Sequence, residues 1–142
     1  MAVLGEDMIK IEQGKKYLVT GGSGFLGGEL ITRILNEGGE VVTVARNEGQ
    51  LIKLKQKFPT VDIQTGDITN KFSVHRVTKG VTGIFHLAAF KHVGMAETQS
   101  VECTNSNVIG SKNVLECGVE HGVEFIIGTV SYTHLRAHET RE

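Results

Sequence analysis

Apolar residues occur along the chain in short runs, separated by longer stretches in which apolar and polar residues alternate with helical spacing. The runs predict buried strands, at residues 16–20, 40–45, 61–64, 82–88 and 123–127. The stretches between them predict helices, at residues 24–37, 49–58, 70–79 and 98–121. In the second helix Leu51, Leu54 and Phe58 share one face, and Pro59 ends it. Gly38-Gly39 is expected to cap the first helix.

Strict alternation of strands and helices determines the predicted architecture. Strands with apolar cores at such intervals imply an α/β fold with a doubly wound parallel sheet. Right-handed crossovers then give the strand order 3-2-1-4-5. We expect residues 1–14 to be a leader, residues 15–128 to form the domain and no internal repeat or linker to be present.

Composition and charge narrow the possible classes of protein. A length of 142 residues suffices for one domain with a core. The net charge of −1 gives no electrostatic footprint for nucleic acid. The apolar runs are far shorter than the roughly 20 residues of a membrane span. The first residues lack the pattern of a signal peptide, so we expect a cytoplasmic protein.

We predict no disulfide or metal site for the two cysteines and no functional role for two of the histidines. Cys103 and Cys117 fall in one predicted helix, roughly 21 Å apart, which is too far for a disulfide. We expect buried, reduced thiols. Neither cysteine has a spaced Cys or His partner that indicates a metal site. His75 and His121 fall on predicted surfaces and are given no role.

The segment Thr20–Gly27 carries the clearest chemistry. It joins a predicted strand to a predicted helix and has glycines at 21, 24 and 27. Such glycines permit a tight turn, close approach of backbone to a pyrophosphate, and close packing of helix on strand. Free N–H groups and the helix dipole then favour phosphate. The segment predicts dinucleotide binding; the alternative is a purely structural glycine turn.

Several segments together resemble the extended short-chain dehydrogenase/reductases, a Rossmann-type family. They are Thr20–Gly27, Gly66-Asp67-Ile68, His86–Ala89 and Ser106–Val114. The chain is most similar to the nucleotide-sugar dehydratase/epimerase group of polysaccharide biosynthesis. Ala45–Glu48, Leu51–Pro59 and above all Ala88–Val93 carry that likeness, the last being similar to inverting UDP-N-acetylglucosamine 4,6-dehydratases. The resemblance covers residues 15 to 128.

The resemblance implies a role for residues around the glycine turn and after the second strand. Those expected at the pyrophosphate, including the turn glycines, are Gly21, Ser23, Gly24, Phe25, Leu26 and Gly27. After the second strand come Arg46, Asn47 and Glu48. An arginine there suits the 2′-phosphate of NADP, whereas Glu48 could restore a preference for NAD. Arg46 could instead be a solvated surface charge.

The ends of the third and fourth strands are expected to hold the rest of the cofactor. The resemblance places Asp67 on the adenine amine and Ile68 against the ring; alternatively, Asp67 is turn or N-cap chemistry. Small residues at the end of the fourth strand would let the ribose approach. These residues are Leu87, Ala88 and Ala89.

Two further residues are implied to support the active site. Lys91 would point into the cleft between the cofactor and the sugar nucleotide, or else be an ordinary exposed lysine. His92 beside it is more often a structural residue. Asn107 would support the active site through backbone and water contacts, although a plain buried hydrogen bond would serve equally.

The likeness stops at Gly128. The family places a serine or threonine and then a Tyr-x-x-x-Lys helix beyond this point, where lysine lowers the pKa of the tyrosine. Ser131, Tyr132 and Arg136 only imitate this pattern, because the tyrosine adjoins the serine and arginine does not replace the lysine. Residues 129–142 instead resemble a translated adapter from transposon-based sequencing libraries, and we expect them to be non-native. His134 and His138 then have no claim as a metal pair.

The expected function follows from the resemblance. The chain would be the NADP-binding half of a nucleotide-sugar dehydratase or epimerase, truncated after an apolar fifth strand and inactive by itself. The substrate would be a UDP-linked amino sugar, and the whole enzyme a homo-oligomer. Another extended reductase or a 4-epimerase is the first alternative, against which Phe90–Val93 argues. A non-catalytic dinucleotide sensor is the second.

Overall fold

Strands and helices alternate along the chain. The computed structural model describes residues 10–87 and 100–129 and, in the second range, the side chains of residues 107–128. The strands are β1 (Lys16–Thr20), β2 (Glu40–Ala45), β3 (Asp62–Thr65), β4 (Gly83–Leu87) and β5 (Phe125–Thr129). The helices are α1 (Phe25–Asn36), α2 (Glu48–Lys57), α3 (Lys71–Thr78) and α4 (Ser100–Glu120).

The strands form one parallel sheet in the order β3-β2-β1-β4-β5. The central strand β1 pairs with β2 on one side, with Lys16 opposite Glu40, and with β4 on the other, with Thr20 opposite His86. Because the order reverses between β1 and β4, the carboxyl ends of these strands open a crevice, which is where ligands bind in doubly wound sheets. The predicted fold class and strand order are confirmed.

The two faces of the sheet are both buried, as expected for parallel strands between helices. Successive side chains of a strand point to opposite faces, so Tyr17 and Val19 pack with α1 and α2, whereas Leu18 packs with α3 and α4. All three are fully buried. The sheet is therefore anchored at its centre by β1, directly before the glycine turn.

The helix ends follow local chemistry. Gly38 has φ +90°, and Gly39 N–H donates to the Ile34 carbonyl at 3.0 Å while Gly38 N–H donates to Leu35. This is the Schellman cap predicted at Gly38-Gly39. The second helix ends at Lys57, before Pro59, as predicted.

Where predicted and observed bounds differ, a turn explains the difference. The fifth strand was expected at 123–127 but runs from Phe125 to Thr129, because Gly122 adopts φ +69° and Val123 N–H donates back to Gly118. Residues 1–9, Ala88 and the predicted start of the long helix at 98–99 lie outside the described residues. No described helix has the length and apolarity to cross a membrane.

Candidate dinucleotide-binding site

The turn after β1 needs glycine for steric reasons. Gly21 has φ +75°, and a Cβ built on it would lie 2.7 Å from the Leu87 carbonyl oxygen of the neighbouring strand. A Cβ on Gly27 would overlap the Gly21 carbonyl and lie 2.6 Å from Gly22 Cα. A larger residue at Gly21 would therefore push the turn away from β4, and one at Gly27 would push the start of α1 away from the turn.

The start of α1 is left open toward solvent. Gly24 is the N-cap residue, extended at φ −83° and ψ 175°, and no side chain caps the helix there. A Cβ on Gly24 would meet only the Gly21 carbonyl, at 3.7 Å. The first turn carries no acidic residue. Backbone N–H groups at an uncapped helix start, without a competing carboxylate, form a cradle for a phosphate.

Apolar side chains flank this open helix start. Phe25 is 85% exposed and Leu26 40% exposed, although both begin a helix whose later residues are buried. Ser23 beside them is also exposed. The predicted pyrophosphate residues are thus brought together at the surface of the crevice, and their binding role stays a prediction.

A buried hydrogen-bond chain fixes the strand ends beneath the turn. The Thr20 hydroxyl accepts from Leu87 N–H at 3.1 Å and lies 2.7 Å from His86 Nδ1. On the far side of the ring, His86 Nε2 lies 2.9 Å from Ser111 Oγ on α4. In the neutral imidazole one ring nitrogen donates to its hydroxyl partner and the other accepts from its own. Burial lowers the pKa of His86 and favours this neutral form.

No individual role was predicted from the sequence for Thr20, His86 or Ser111. Thr20 and His86 occupy the same register position on neighbouring strands, a relationship that only the sheet pairing reveals. Thr43 was also missed: its hydroxyl donates to the Val19 carbonyl at 2.6 Å and lies beside Gly22. Polar residues inside otherwise apolar strands were the available signal for Thr20, Thr43 and His86, whereas Ser111 lies on the helix α4.

Arg46 and Asp67 meet at the ends of β2 and β3. Arg46 Nη1 lies 3.7 Å from Asp67 Oδ2, with side-chain exposures of 74% and 39%. Partial burial opposes ionisation of Asp67, but hydrogen bonds from Thr69 and the Arg46 charge outweigh it and hold the pKa of this carboxyl below its usual value. Asp67 Oδ1 accepts from Thr69 N–H at 3.0 Å. The Asp67 carboxylate therefore stabilises the turn before α3, whose N-cap residue is Asn70, and its expected contact with adenine stays a prediction.

The other residues predicted after β2 have local structural contacts. The Asn47 side chain accepts from Gln50 N–H at 2.9 Å and so caps α2. Glu48 is exposed in the first turn of that helix. Arg46 is thus a mostly exposed cation at this strand end, with Glu48 two residues away on the helix.

Contacts with α4 hold the loop after β3. Asn113 Nδ2 donates to the Ile68 carbonyl at 2.8 Å. The Ile68 side chain packs directly against Gly110, since a Cβ added to that glycine would lie only 2.6 Å from Ile68 Cδ1. Ile68 is half-buried, so part of it remains available to a ligand. Leu87 is buried at the end of β4, and Asn107 is half-buried on α4. The predicted site residues Ala88, Ala89 and Lys91 lie outside the described residues.

A 3-2-1-4-5 parallel sheet with a glycine turn at its switch point defines a dinucleotide-binding domain of the short-chain dehydrogenase/reductase type. The chain belongs to the family described as "Polysaccharide biosynthesis protein", which matches residues 17–132. It contains a dinucleotide-binding domain like those of nucleotide-sugar epimerases and dehydratases. The resemblance found in the sequence is confirmed at this level.

Individual relatives agree with that assignment. UDP-glucose 4-epimerase of Rickettsia akari is 30% identical over 120 residues, covering 80% of this chain and 35% of the relative. Pen from Bacillus thuringiensis has a TM-score of 0.77 and 27% identity, covering 82% of this chain and 37% of its own. DesIV, a dTDP-glucose 4,6-dehydratase from Streptomyces venezuelae with NAD bound, has a TM-score of 0.65 and 30% identity, covering 78% of this chain and 38% of DesIV. The chain spans 32–38% of the length of the curated relatives it matches first.

Proposed function

We propose that this chain is the NADP-binding part of a nucleotide-sugar dehydratase or epimerase that acts on a UDP-linked amino sugar. The observation that carries the proposal is the uncapped start of α1, packed against β1 through Gly21 and Gly27. The space around Gly24 is open and no side chain caps the helix, so the residues present fit a pyrophosphate closely approached by backbone. A cytoplasmic location and a homo-oligomeric whole enzyme are part of the same proposal.

The preference for NADP rests on Arg46. Its guanidinium is mostly exposed at the end of β2, where doubly wound domains meet the adenosine ribose. A planar guanidinium can hold a phosphate through two parallel hydrogen bonds. A 2′-phosphate would take the place that Asp67 now occupies beside Arg46, at 3.7 Å. DesIV is a similar protein with NAD bound, so NAD is the competing cofactor against which the proposed preference is tested.

The described residues would bind and orient rather than react. A bound nicotinamide cofactor supplies reversible hydride transfer. Backbone groups at Gly24 and Phe25 would hold the pyrophosphate, while the Thr20–His86 hydrogen bond keeps the ends of β1 and β4 at fixed spacing. By resemblance, the whole enzyme would oxidise C4 of the sugar, remove water across C5 and C6, and return the hydride.

We propose that the 142-residue protein does not by itself convert a sugar nucleotide to product. Neither Tyr17 nor Tyr132 is followed by a lysine four positions later, so the tyrosine–lysine pair of the resemblance is missing from this sequence. A 4-epimerase is a second candidate, favoured by the likeness to the Rickettsia akari enzyme. UDP-N-acetylglucosamine and UDP-glucose incubated with the protein and NADP or NAD should both be recovered unchanged; formation of a 4-keto or epimerised sugar would contradict this.

Binding of the cofactor itself is the main test. Calorimetric titration of the 142-residue protein with NADP and with NAD should show binding at one site, tighter for NADP. Equal or tighter binding of NAD would refute the cofactor preference while leaving the class intact. Failure of both cofactors to bind to protein that is folded by circular dichroism would refute the proposed site.

A further inference from the structure

A second cluster of chemically reactive side chains lies between α3 and α4. One nitrogen of His75, Cys117 Sγ and one carboxylate oxygen of Glu120 all lie within 4.8 Å of one another. His121 lies beside this group and contacts one member of it, with its Nε2 3.2 Å from His75 Nδ1. His75 Nδ1 is also 3.8 Å from Glu120 Oε1. Nothing in the dinucleotide site uses these residues.

The local sequence explains how the four side chains meet. Cys117, Glu120 and His121 stand at i, i+3 and i+4, so they share one side of the last turn of α4. The helices α3 and α4 contact each other along their length, and one turn earlier Lys71 Nζ pairs with Glu116 Oε1 at 3.0 Å. Buried apolar residues of both helices, among them Val74 and Val114, pack in one core cluster, and this packing brings His75 beside Glu120.

Two of the distances in this cluster are close to those between ligands of a small tetrahedral metal ion, and the thiol lies within 4.8 Å of the His75 and Glu120 atoms. With bonds of about 2.0–2.3 Å to nitrogen, oxygen or sulfur, neighbouring ligand atoms are about 3.3–3.8 Å apart. The two histidine nitrogens are 3.2 Å apart, and the histidine and carboxylate atoms 3.8 Å apart. We propose that His75, Cys117, Glu120 and His121 bind a divalent ion of borderline softness, of the zinc class.

The ligand types favour that class of ion. Thiolate and imidazole select zinc-like metals over magnesium and calcium, which prefer oxygen ligands. Cys117 is fully buried, and its thiol donates weakly to the Lys71 carbonyl at 3.9 Å. Burial raises the pKa of Cys117, so the metal must displace the thiol proton, as is usual for such ligands. Lys71 Nζ lies 3.7 Å from Glu120 Oε2 and 3.0 Å from Glu116 Oε1. Lys71 would therefore retain Glu116 as a partner when Glu120 binds the metal.

The proposed site is separate from the cofactor crevice. Crossover helices run opposite to their strands, so the ends of α3 and α4 lie toward the amino edge of the sheet, whereas the glycine turn lies at the carboxyl edge. A metal there would join two helices that precede β4 and β5. Its expected effect is on the stability of the domain, through preferential binding to the folded state. The inference is therefore independent of the proposed function.

Cobalt serves as a spectroscopic probe and zinc as a competitor. Titration of the metal-free 142-residue protein with Co²⁺ should give one equivalent of binding, intense visible bands typical of tetrahedral cobalt and a thiolate-to-cobalt charge-transfer band. Zinc should displace the cobalt and raise the melting temperature. Cys117→Ser should abolish the charge-transfer band, and His75→Gln should weaken binding at least tenfold.

Matched controls separate this cluster from other metal-binding residues. Cys103→Ser removes the other cysteine, and the double variant His134→Ala/His138→Ala removes the paired histidines of residues 129–142; both should bind as the parent does. His75 is 53% exposed in its side chain, so His75→Gln tests the site even if Cys117→Ser fails to fold. Absence of a tetrahedral spectrum, or binding lost with the tail histidines and kept in His75→Gln, would overturn the proposal.

Discussion

Arg46 and Asp67 form an ion pair across the carboxyl ends of neighbouring strands, with Arg46 Nη1 3.7 Å from Asp67 Oδ2. The parallel pairing of β2 with β3, which sets Ala45 opposite Thr65, brings them together. Both side chains keep substantial exposure, so the pair contributes little stability of its own. The pair instead positions the Arg46 guanidinium at the sheet edge where, under the proposed function, the ribose 2′-phosphate would lie.

Substitution of Arg46 should separate the two cofactors. In Arg46→Ala, NADP affinity is expected to fall about 10- to 100-fold, because a charge-assisted hydrogen bond to phosphate is worth about 1.5–3 kcal/mol. NAD affinity should change little. Calorimetric titration with each dinucleotide measures the ratio. Arg33→Ala is the matched control, since Arg33 is an exposed arginine on α1 that pairs only with Glu37 among its described contacts.

Adjacent glycines of α1 should respond oppositely to the same change. Gly27→Ala would drive its methyl group into the backbone of Gly21 and Gly22, costing about 1–3 kcal/mol of strain and weakening dinucleotide binding. In Gly28→Ala the new Cβ meets only the flexible end of Lys57, at 3.4 Å, so helix propensity should stabilise the protein by up to about 1 kcal/mol. Urea denaturation distinguishes the two; equal effects would contradict the packing described for Gly27.

The buried His86 should make stability depend on pH. Its pKa is lowered in the folded protein, so the unfolded chain binds the extra proton as pH falls below about 6.5. Stability should therefore be complete above that pH and decline below it, by at most about 1.4 kcal/mol per pH unit. Urea midpoints measured across this range in a chelator test it. His86→Gln should flatten the decline, whereas the exposed His75→Gln should retain it.

Loss of the Asn113 amide should loosen the loop after β3. Asn113 is buried and donates to the Ile68 carbonyl at 2.8 Å. Asn113→Ala leaves that carbonyl without its partner, at a cost of about 1–3 kcal/mol in the free energy of unfolding. Lys112→Ala, the exposed neighbour on the same helix, should change it by less than about 0.5 kcal/mol. Similar losses in the two variants would show that the hydrogen bond does not hold the loop.

The architecture was accessible from sequence because local signals agreed. The apolar runs indicated the strands, and the Gly38-Gly39 cap and Pro59 indicated helix ends. The alternation of strands with helices then predicted a parallel sheet and its strand order. The end of β5 was less accessible, since the turn at Gly122 shifts the strand by two residues. Such shifts depend on which carbonyl receives the last helical hydrogen bond, and hydrophobic periodicity does not record that.

The site was predictable only in part. The glycine turn was visible because its residue types are sterically required. The roles of Thr20, His86 and Ser111 depend on pairing between distant strands and a helix, as does the meeting of His75 with Cys117. His121 follows Cys117 by four residues, a spacing that matches none of the usual zinc patterns and so gave no signal of a metal site. Contacts between side chains from separate elements require the tertiary structure.

The middle strand β1 has a consequence for dynamics. Its residues Tyr17, Leu18 and Val19 have no solvent exposure and are bonded to strands on both sides. Amide protons in such a strand exchange with deuterium only when the whole domain opens. We therefore expect the amides of β1 to exchange slowly, which would give the glycine loop that follows a stable anchor at its upstream end.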